Sequence, residues 1–134
     1  MTSDHVLIRT TGQKDSGAQA SVDALYKEIY APFAKWVHIP QHLICYEVDD
    51  GWEMIGLATL YWTLAVPGKA ESGEKVKDAE GNEWDGCNPA SFSFRYRKDG
   101  EGIRLAKTEI AADPTLAVVG MLKRGMMKAE DLMK

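Results

Sequence analysis

The feature that most constrains the fold is a series of strand-type segments joined by tight turns through the second half of the chain. The predicted strands cover residues 42–48, 52–66, 90–97 and 103–110, with a small hairpin over 75–85. Asp49-Asp50-Gly51 and Lys98-Asp99-Gly100 are turn sequences of the kind that join hairpin strands. Strands with such short connections pair antiparallel, because a parallel pair needs a long crossover. The pattern therefore predicts an antiparallel sheet and excludes a doubly wound parallel fold.

Two of these strands have informative side-chain patterns. Aromatic and polar side chains alternate over residues 90–97. The aromatic face consists of Phe92, Phe94 and Tyr96. Residues 52–66 are apolar on both faces, which is typical of a strand at the centre of a covered sheet. Gly56 within this segment predicts a bulge or a bend.

A helix is predicted on each side of this series of strands. The first, after a short strand at 5–10, has an apolar stripe at helical spacing formed by Val22, Leu25, Tyr26, Ile29, Tyr30, Phe33 and Val37. Ser21 is its expected N-cap, and Pro32, which lacks a backbone N–H, is expected to kink or restart it. Asp113-Pro114 predicts the start of the second helix, which we expect to end at Gly125. The sequence thus predicts an α+β fold in which an amphipathic helix packs on one face of a curved antiparallel sheet.

Composition limits the classes of partner. A length of 134 residues predicts one domain over residues 1–134. The net charge is −4 and neither half has a basic cluster, so we expect no nucleic-acid partner. No secretory signal is visible, and no segment approaches the roughly 20 apolar residues of a membrane span. Cys45 and Cys87 do not form a disulfide framework, and we interpret them as reduced thiols of a cytoplasmic protein.

Cofactor motifs are incomplete in this sequence. Gly68 to Lys75 is similar to a phosphate-binding loop, but Glu74 stands where that loop requires lysine. The histidines and cysteines do not have the spacing of zinc ligands. We therefore predict neither a cofactor nor a metal site.

Several stretches, together with the order of elements, resemble a known superfamily. They are Tyr30-Ala31-Pro32-Phe33, residues 50–56, Asp113-Pro114-Thr115 and residues 121–125. The chain resembles the nuclear-transport-factor-2-like superfamily, and within it the small SnoaL-like proteins of fungal secondary metabolism. The resemblance implies a cone-shaped α+β sheet around a pocket and a homodimer formed through the sheet.

The resemblance also carries expectations about the pocket. Members usually begin with a helical hairpin that closes one side of the cone, whereas only four residues here precede the strand at 5–10. We expect this hairpin to be missing or reduced, so that the cone is open on that side or closed by a partner subunit. Relatives include ketosteroid isomerase, scytalone dehydratase, limonene epoxide hydrolase and polyketide cyclases, which implies acid/base chemistry on a small hydrophobic metabolite without a cofactor.

The resemblance suggests which residues carry that chemistry. His42 opens a predicted strand, as a catalytic histidine does in the dehydratase, and is the candidate base. Glu109 lies roughly where SnoaL-like cyclases keep their acidic residue, although Asp113 could occupy that place instead. Asp85, beside a predicted strand, is the other candidate acid. Tyr61 is the candidate donor to a substrate oxygen.

Aromatic residues are the candidate ligand contacts. The predicted ligand-binding side chains are Tyr46, Trp62, Phe92, Phe94 and Tyr96. The tyrosines among them could also donate a phenolic hydrogen bond, although packing within the sheet is the more common role for each of them. We interpret His38 as a solvated residue between helix and strand and assign no role to His5.

Two functions are compatible with these features. The first is an isomerase, cyclase or dehydratase of secondary metabolism acting on a small hydrophobic, polyketide-like molecule. The second is a non-catalytic member of the same fold that binds a small molecule or serves as a dimeric interaction module. A geometric criterion separates them: His42 and a carboxylate that converge on one cavity favour the enzyme, whereas side chains that face solvent favour the binding protein.

Overall fold

The computed structural model describes residues 1–69 and 73–134. Its strands in chain order are β1 (Val6–Ile8), β2 (Lys14–Ser16), β3 (Phe33–Val48), β4 (Gly51–Leu64), β5 (Val76–Lys77), β6 (Glu83–Trp84), β7 (Gly86–Asp99) and β8 (Gly102–Ala112). Helix α1 (Ala18–Asp23) continues as a π-helical turn over Ala24–Ile29, and α2 (Thr115–Lys123) is followed by a 3-10 turn over Ala129–Met133. In this part of the chain, β5 and β6 form a separate hairpin, and the other strands form one curved sheet in the order β2-β1-β8-β7-β4-β3.

The pairing confirms the predicted α+β class. Strand β3 pairs antiparallel with β4, β4 with β7, and β7 with β8, as the turn sequences require. The turn at Asp49-Asp50 lies between β3 and β4, where the sequence places it. Strand β1 pairs parallel with β8, so the sheet is mixed at that side, a feature that the hairpin signals did not predict.

The first helix is shorter than its apolar stripe predicts. It ends at Ile29, and Phe33 and Val37 belong to strand β3. The physical reason is Pro32, which cannot continue the helical hydrogen-bond ladder and disfavours helix in the residue before it. The prediction that Ser21 caps this helix is also wrong, because Ser21 lies inside α1 and its side chain is fully buried.

The sheet has an inner face that is covered by the helices. The buried residues of β4 alternate along the strand and are Ala58, Leu60, Trp62 and Leu64. The core contains Leu60, Trp62 and Leu64 together with Ala90 of β7 and Ala117 of α2. Successive side chains of a strand point to opposite faces, so Ile55 and Leu57 lie on the outer face, where they are 45% and 48% exposed.

A bulge in β3 changes which residues reach the inner face. Pro40 pairs with Ala58 and His42 pairs with Leu57, so Gln41 is an extra residue between them. Gly56, where the sequence predicts a bulge, is instead paired regularly with Leu43 and Phe92. Glycine is required there because a Cβ atom would collide with the carbonyl oxygen of His42 and with the Phe92 ring. The irregularity therefore lies on the edge strand beside Gly56.

Candidate functional site

Two adjoining cavities lie between the inner face and the helices. The first has a volume of about 300 Å³ and the second of about 350 Å³. Both are lined by Tyr30, His38 and Ile110, so these residues stand at the boundary between them. Each volume is at the lower end of the range of small-molecule sites.

The Tyr30–His38 pair is the central polar feature of this boundary. The Tyr30 hydroxyl oxygen and His38 Nε2 lie 3.3 Å apart, a long hydrogen bond. Tyr30 follows the π-helical turn, and its backbone N–H donates to the Leu25 carbonyl at 2.8 Å. Its ring stacks on Trp36 with a centroid distance of 4.8 Å and an interplanar angle of 4°. The π-helical turn and this stacking together fix where the phenol meets the imidazole.

Burial keeps both members of the pair neutral. It raises the pKa of Tyr30 to about 12, with a smaller contribution from Tyr26, so the phenol remains a hydrogen-bond donor. It lowers the pKa of His38 below the ordinary 6.5, so the imidazole is unprotonated at neutral pH. A neutral imidazole with one unprotonated nitrogen is able to accept a proton.

Asn88 provides a further polar group to the first cavity. It is 7% exposed, and its Oδ1 accepts a hydrogen bond of 2.9 Å from Trp62 Nε1. Its Nδ2 donates to the Pro89 carbonyl at 3.1 Å. The amide has a second N–H on the same nitrogen, so Asn88 has one donor beyond these bonds.

The remaining lining of both cavities is mainly apolar. Within residues 1–69 and 73–134, Arg9 is the one lining side chain with a formal charge, in the first cavity, and Met1, which bears the N-terminal ammonium and is 44% exposed, lines the second. Arg9 is neutralised by Asp15, 2.7 Å from its Nε, and by Glu28, 2.6 Å from its Nη1. Among the described residues, neither cavity is lined by an aspartate or a glutamate.

A separate buried cluster lies behind the second cavity. His5 is fully buried, with Nδ1 2.8 Å from Ser21 Oγ and Nε2 3.0 Å from Thr108 Oγ1. Thr108 also lines the second cavity. Burial lowers the pKa of His5, with the N-terminal ammonium adding to the effect and Asp4 opposing it. Both ring nitrogens have partners, so His5 holds together β8, α1 and the chain before β1.

The sequence-predicted catalytic residues are not brought together. His42 is exposed and pairs with Leu57, which places it on the outer face because of the bulge at Gln41. Glu109 is exposed and pairs with Ser93 on that same face. The geometric criterion stated from the sequence therefore does not favour an enzyme built on His42, whose catalytic role stays a prediction.

Asp85 occupies a fully partnered site and is not among the residues that line either cavity. It is 3% exposed and accepts hydrogen bonds from Lys75, from Arg124 Nη1 at 2.7 Å and from the Leu64 N–H at 2.9 Å. Burial alone would raise its pKa, but the bonds from Arg124 and Lys75 outweigh burial and hold the pKa at about 2. Asp85 therefore joins β4, the β5–β6 hairpin and the end of α2.

The predicted aromatic contacts are divided between the two faces. Phe92 and Phe94 line the second cavity and stack at 4.9 Å. Trp62 is fully buried in the core and contributes to the first cavity only through its bond to Asn88. Tyr46 and Tyr61 lie on the outer face, Tyr46 donating to Glu53 at 2.8 Å and Tyr61 lying 6.1 Å from Trp84. Tyr96 lies on the inner face and contacts Phe94 edge-on, outside the two cavity linings.

Sequence reasoning missed Tyr30, His38 and Asn88. The interpretation of His38 as a solvated residue is wrong, because it is half-buried in β3 and lines both cavities. Alternation from Phe33 gave no signal for it: Phe33 and His38 are five residues apart yet share the inner face, because a register shift after Phe33 makes Ala34 an extra residue. Asn88 had no signal of its own.

The described residues contain neither a cluster of potential metal ligands nor a helix that could cross a membrane. Within residues 1–69 and 73–134, no group of three or more His, Cys, Asp or Glu side chains is arranged to hold a metal ion. No helix in those ranges is long and apolar enough to cross a membrane.

Comparisons with known proteins place this geometry in context. No family model and no curated protein matches the sequence. Among solved structures, a hexachlorocyclohexane dehydrochlorinase, LinA-type3 from Novosphingobium barchaimii LL02, is 12% identical with a TM-score of 0.61, over 84% of this chain and 67% of its own. A candidate SnoaL-like polyketide cyclase from Jannaschia sp. CCS1 is 17% identical with a TM-score of 0.56, over 89% of this chain and 70% of its own.

A third solved structure is named by its fold. It is an NTF2-like protein with a cystatin-like fold from Novosphingobium aromaticivorans, 10% identical with a TM-score of 0.59, over 88% of this chain and 70% of its own. The chain thus spans about two thirds of the length of the structures that it matches. At these identities the likeness concerns the fold. The chain has a cystatin-like fold, like that NTF2-like protein, and this is the fold that its sequence resemblance implies.

Proposed function

We propose that this protein binds a small, largely apolar molecule on the inner face of the sheet and that His38 removes a carbon-bound proton from it. The observation that carries the proposal is the Tyr30–His38 pair, a phenol and an imidazole 3.3 Å apart at the boundary of two apolar cavities. An isomerase, a cyclase and a dehydratase can each begin with such a proton transfer.

The proposed step uses the two side chains in complementary roles. A substrate carbonyl oxygen accepts a hydrogen bond from the Tyr30 hydroxyl, which frees His38 Nε2 from that phenol. The imidazole takes the proton from the carbon next to the carbonyl, and the C–H electron pair moves to form an enolate. Tyr30 stabilises the negative charge that develops on the oxygen. The lowered pKa of His38 keeps the imidazole in its unprotonated form for this step.

Two of the similar structures are compatible with this chemistry. Hexachlorocyclohexane dehydrochlorinases share the fold, and loss of hydrogen chloride also requires removal of a carbon-bound proton. The candidate polyketide cyclase supports the polyketide-like substrate that the sequence resemblance implies. Both activities belong to those proteins, and here they support only the class of reaction.

The reaction as proposed has simple requirements. Proton acceptor and hydrogen-bond donor are both side chains of this chain, so the step needs no cofactor or metal. We also propose a cytoplasmic location, because Cys45 and Cys87 are both free thiols.

Hydrogen exchange tests the proposal directly. We would incubate the protein with cyclohexanone in D₂O and follow loss of the α-proton signal by NMR. We expect exchange above the buffer rate, abolished in His38→Gln, which removes the basic nitrogen and keeps a polar side chain of similar reach. The matched control is His42→Gln on the outer face of the same strand, which should exchange like the wild type. Equal exchange by His38→Gln and the wild type would refute the role of His38.

The second candidate function is binding without catalysis. It is favoured by the outward position of His42 and Glu109 and by the lack of a lining carboxylate among the described residues. Binding of the ketone with exchange no faster than in buffer would favour this function. Release of chloride from hexachlorocyclohexane, measured in parallel, would instead support an elimination.

We also propose that the protein is a homodimer that uses the outer face. The exposed fractions of large apolar side chains on this face range from 42% to 67% within the described residues. They are Ile39, Ile44, Tyr46, Ile55 and Leu57. An exposed apolar surface of this kind is typical of an interaction site. Light scattering at micromolar concentration should give the mass of a dimer, and Ile44→Lys should give a monomer; a monomeric wild type would contradict the proposal.

A further inference from the structure

We infer that the two cavities are halves of one site, whose ligand is an uncharged molecule with an aliphatic part and an aromatic part joined at a hydrogen-bonding group. This inference rests on the proposed function, because it takes the Tyr30–His38 pair as the place where that group binds. It specifies the substrate class that the proposed function leaves open.

The position of the pair is the first argument. Tyr30 and His38 line both cavities, so an oxygen bound to the Tyr30 hydroxyl has apolar space on both sides of it. A ligand with its polar group at one end would fill one cavity and leave the other exposed to water. A ligand with a central polar group fills both and removes more apolar surface from water, which favours its binding.

The walls of the two cavities differ in chemistry. Beyond the shared Tyr30, the first cavity has one aromatic ring, Phe33, and its aliphatic side chains include Ile29, Leu60, Ile110, Ala112 and Ala117. The second cavity has three aromatic rings, Trp36, Phe92 and Phe94, beside aliphatic side chains such as Leu25 and Leu105. Aromatic rings attract another ring through offset or edge-on contacts, beyond the effect of buried area. The aliphatic part therefore belongs in the first cavity and the aromatic part in the second.

The electrostatics of the site require an uncharged ligand. Arg9 is already neutralised by Asp15 and Glu28, and the described residues offer no lining carboxylate. The lining side chains therefore offer a charged ligand no free counter-charge for its lost hydration, which is costly, and the N-terminal ammonium belongs to Met1, which is 44% exposed. The available partners are the Tyr30 hydroxyl, the His38 imidazole and the amide of Asn88, which suit a carbonyl or hydroxyl group.

A row of alanines provides the space for the ligand. Ala58 pairs with Ala90, and Ala90 pairs with Ala112, so three adjacent strands carry small side chains at one level of the inner face. Ala58 and Ala90 line the second cavity, whereas Ala112 lines the first. A larger side chain at either end of the row would reduce one cavity and leave the other. Ala58 and Ala112 are therefore specificity-determining residues for the aromatic and the aliphatic part.

The probe for this inference is cyclohexyl phenyl ketone, in which a carbonyl group joins one aliphatic and one aromatic ring. It is compared with cyclohexanone and acetophenone, two smaller ketones that each carry one of these ring types and are called its halves below. Binding would be measured by calorimetry with the wild type. We expect cyclohexyl phenyl ketone to bind more than about tenfold tighter than either cyclohexanone or acetophenone. Equal affinity for the ketone and its better half would overturn the inference.

Two matched variants assign the halves. Ala112→Val should lower the affinity for cyclohexyl phenyl ketone and for cyclohexanone at least about fivefold. The affinity for acetophenone should stay within about twofold of the wild type. Ala58→Val should lower the affinity for cyclohexyl phenyl ketone and for acetophenone and leave the affinity for cyclohexanone unchanged. Equal weakening of both halves by each variant would overturn the inference.

The third measurement does not depend on any variant folding. Intermolecular NOEs in the wild type should connect cyclohexyl protons to the Ala112 methyl group and phenyl protons to the Ala58 methyl group, and the reverse pattern would overturn the assignment. The α-proton of the same ketone reports on the proposed function separately. Tight binding with the expected NOEs and no exchange would refute proton transfer and leave the two-part site standing. Exchange of the α-proton without tighter binding of cyclohexyl phenyl ketone would support proton transfer and refute the two-part site.

Discussion

Two of the buried polar clusters of this protein, those of Asp85 and of the Tyr30–His38 pair, differ in how completely their ionisable side chains are partnered. Asp85 accepts bonds from Arg124, Lys75 and the Leu64 N–H, so its carboxylate is neutralised within the chain. The Tyr30–His38 pair has one bond of 3.3 Å between its members and faces two cavities. The Asp85 carboxylate needs no partner from outside the chain, whereas the Tyr30–His38 pair retains hydrogen-bonding capacity for a ligand.

The comparison shows that burial of an ionisable group does not by itself indicate a functional site. Structural ion pairs shift pKa values as strongly as active sites do. Asp85 has a pKa of about 2 because it is fully paired, and the pairing uses up the capacity to transfer protons at neutral pH. The useful criterion is therefore the number of partners that a buried group lacks, together with the cavity that it faces.

The largest effect on stability is expected for Asp85→Ala. It leaves Arg124, whose side chain is 5% exposed, buried without its carboxylate. Breaking a buried ion pair in this way costs about 3–5 kcal/mol of unfolding free energy. Urea denaturation would measure the loss, and α-proton exchange by the folded variant should be unchanged.

The control for Asp85 is Asp50→Ala, which removes a partner of Arg95 that is 53% exposed. We expect no measurable change in the urea midpoint, because solvent screens this pair. Acidification gives a second check. The stabilisation by Asp85 is complete above its ordinary pKa of 3.8 and is lost as the pH falls towards its folded pKa of about 2. Equal midpoints for Asp85→Ala and the wild type would contradict a structural role.

A smaller loss of unfolding free energy is expected for His5→Leu. This substitution extends the comparison to a third buried cluster, formed by His5, Ser21 and Thr108. Removing the imidazole leaves Ser21 Oγ and Thr108 Oγ1 without these bonds, at a cost of about 1–3 kcal/mol. The folded pKa of His5 lies below the ordinary 6.5, so the unfolded chain binds the proton first. Stability should therefore fall as the pH drops below 6.5, and His5→Leu should flatten this fall. An unchanged pH dependence in urea titrations would exclude His5 as its source.

A still smaller effect on stability is expected for Tyr30→Phe, because the ring and its stacking on Trp36 are retained. The cost should be about 0.5–1.5 kcal/mol, the value of one hydrogen bond, whereas α-proton exchange should fall about 100-fold through loss of the donor to the enolate. The pH profile of wild-type exchange provides an independent readout. Exchange should fall in acid only below pH 6.5, where His38 is protonated, and on the alkaline side only near pH 12, where Tyr30 ionises. A loss of stability with full exchange would assign the pair a structural role.

The fold was largely predictable from local signals. Asp49-Asp50 joins β3 to β4, and Gly100-Glu101, at the end of the predicted turn 98–100, joins β7 to β8, so the hairpins specified the antiparallel part of the sheet. The length of the first helix was not predictable from periodicity alone. Phe33 and Val37 continue the helical spacing by coincidence, because β3 has apolar residues on both faces near its start. Only the backbone chemistry of Pro32 distinguishes the two interpretations.

The site was less predictable because of one residue in the edge strand. In a regular strand His38, Pro40 and His42 would share a face. The extra residue Gln41 reverses the alternation, so His38 lies inside and His42 outside. A bulge depends on pairing with β4 and has no marker in the sequence of β3 itself. The sequence therefore predicts the imidazole of the pocket on His42, whereas the histidine that lines the cavities is His38.

The smallest effect is expected for His42→Ala, and it tests that reversal most directly. His42 and His38 lie on one strand and differ in the face that they occupy. If exposure on the outer face is correct, the substitution removes neither a buried contact nor a proton acceptor of the cavities, and unfolding free energy should change by less than about 0.5 kcal/mol. Exchange should equal that of the wild type, whereas His38→Ala should abolish it. Loss of exchange in His42→Ala with an unchanged urea midpoint would restore His42 as the base, and it would require that a second subunit bring this outer face against a substrate.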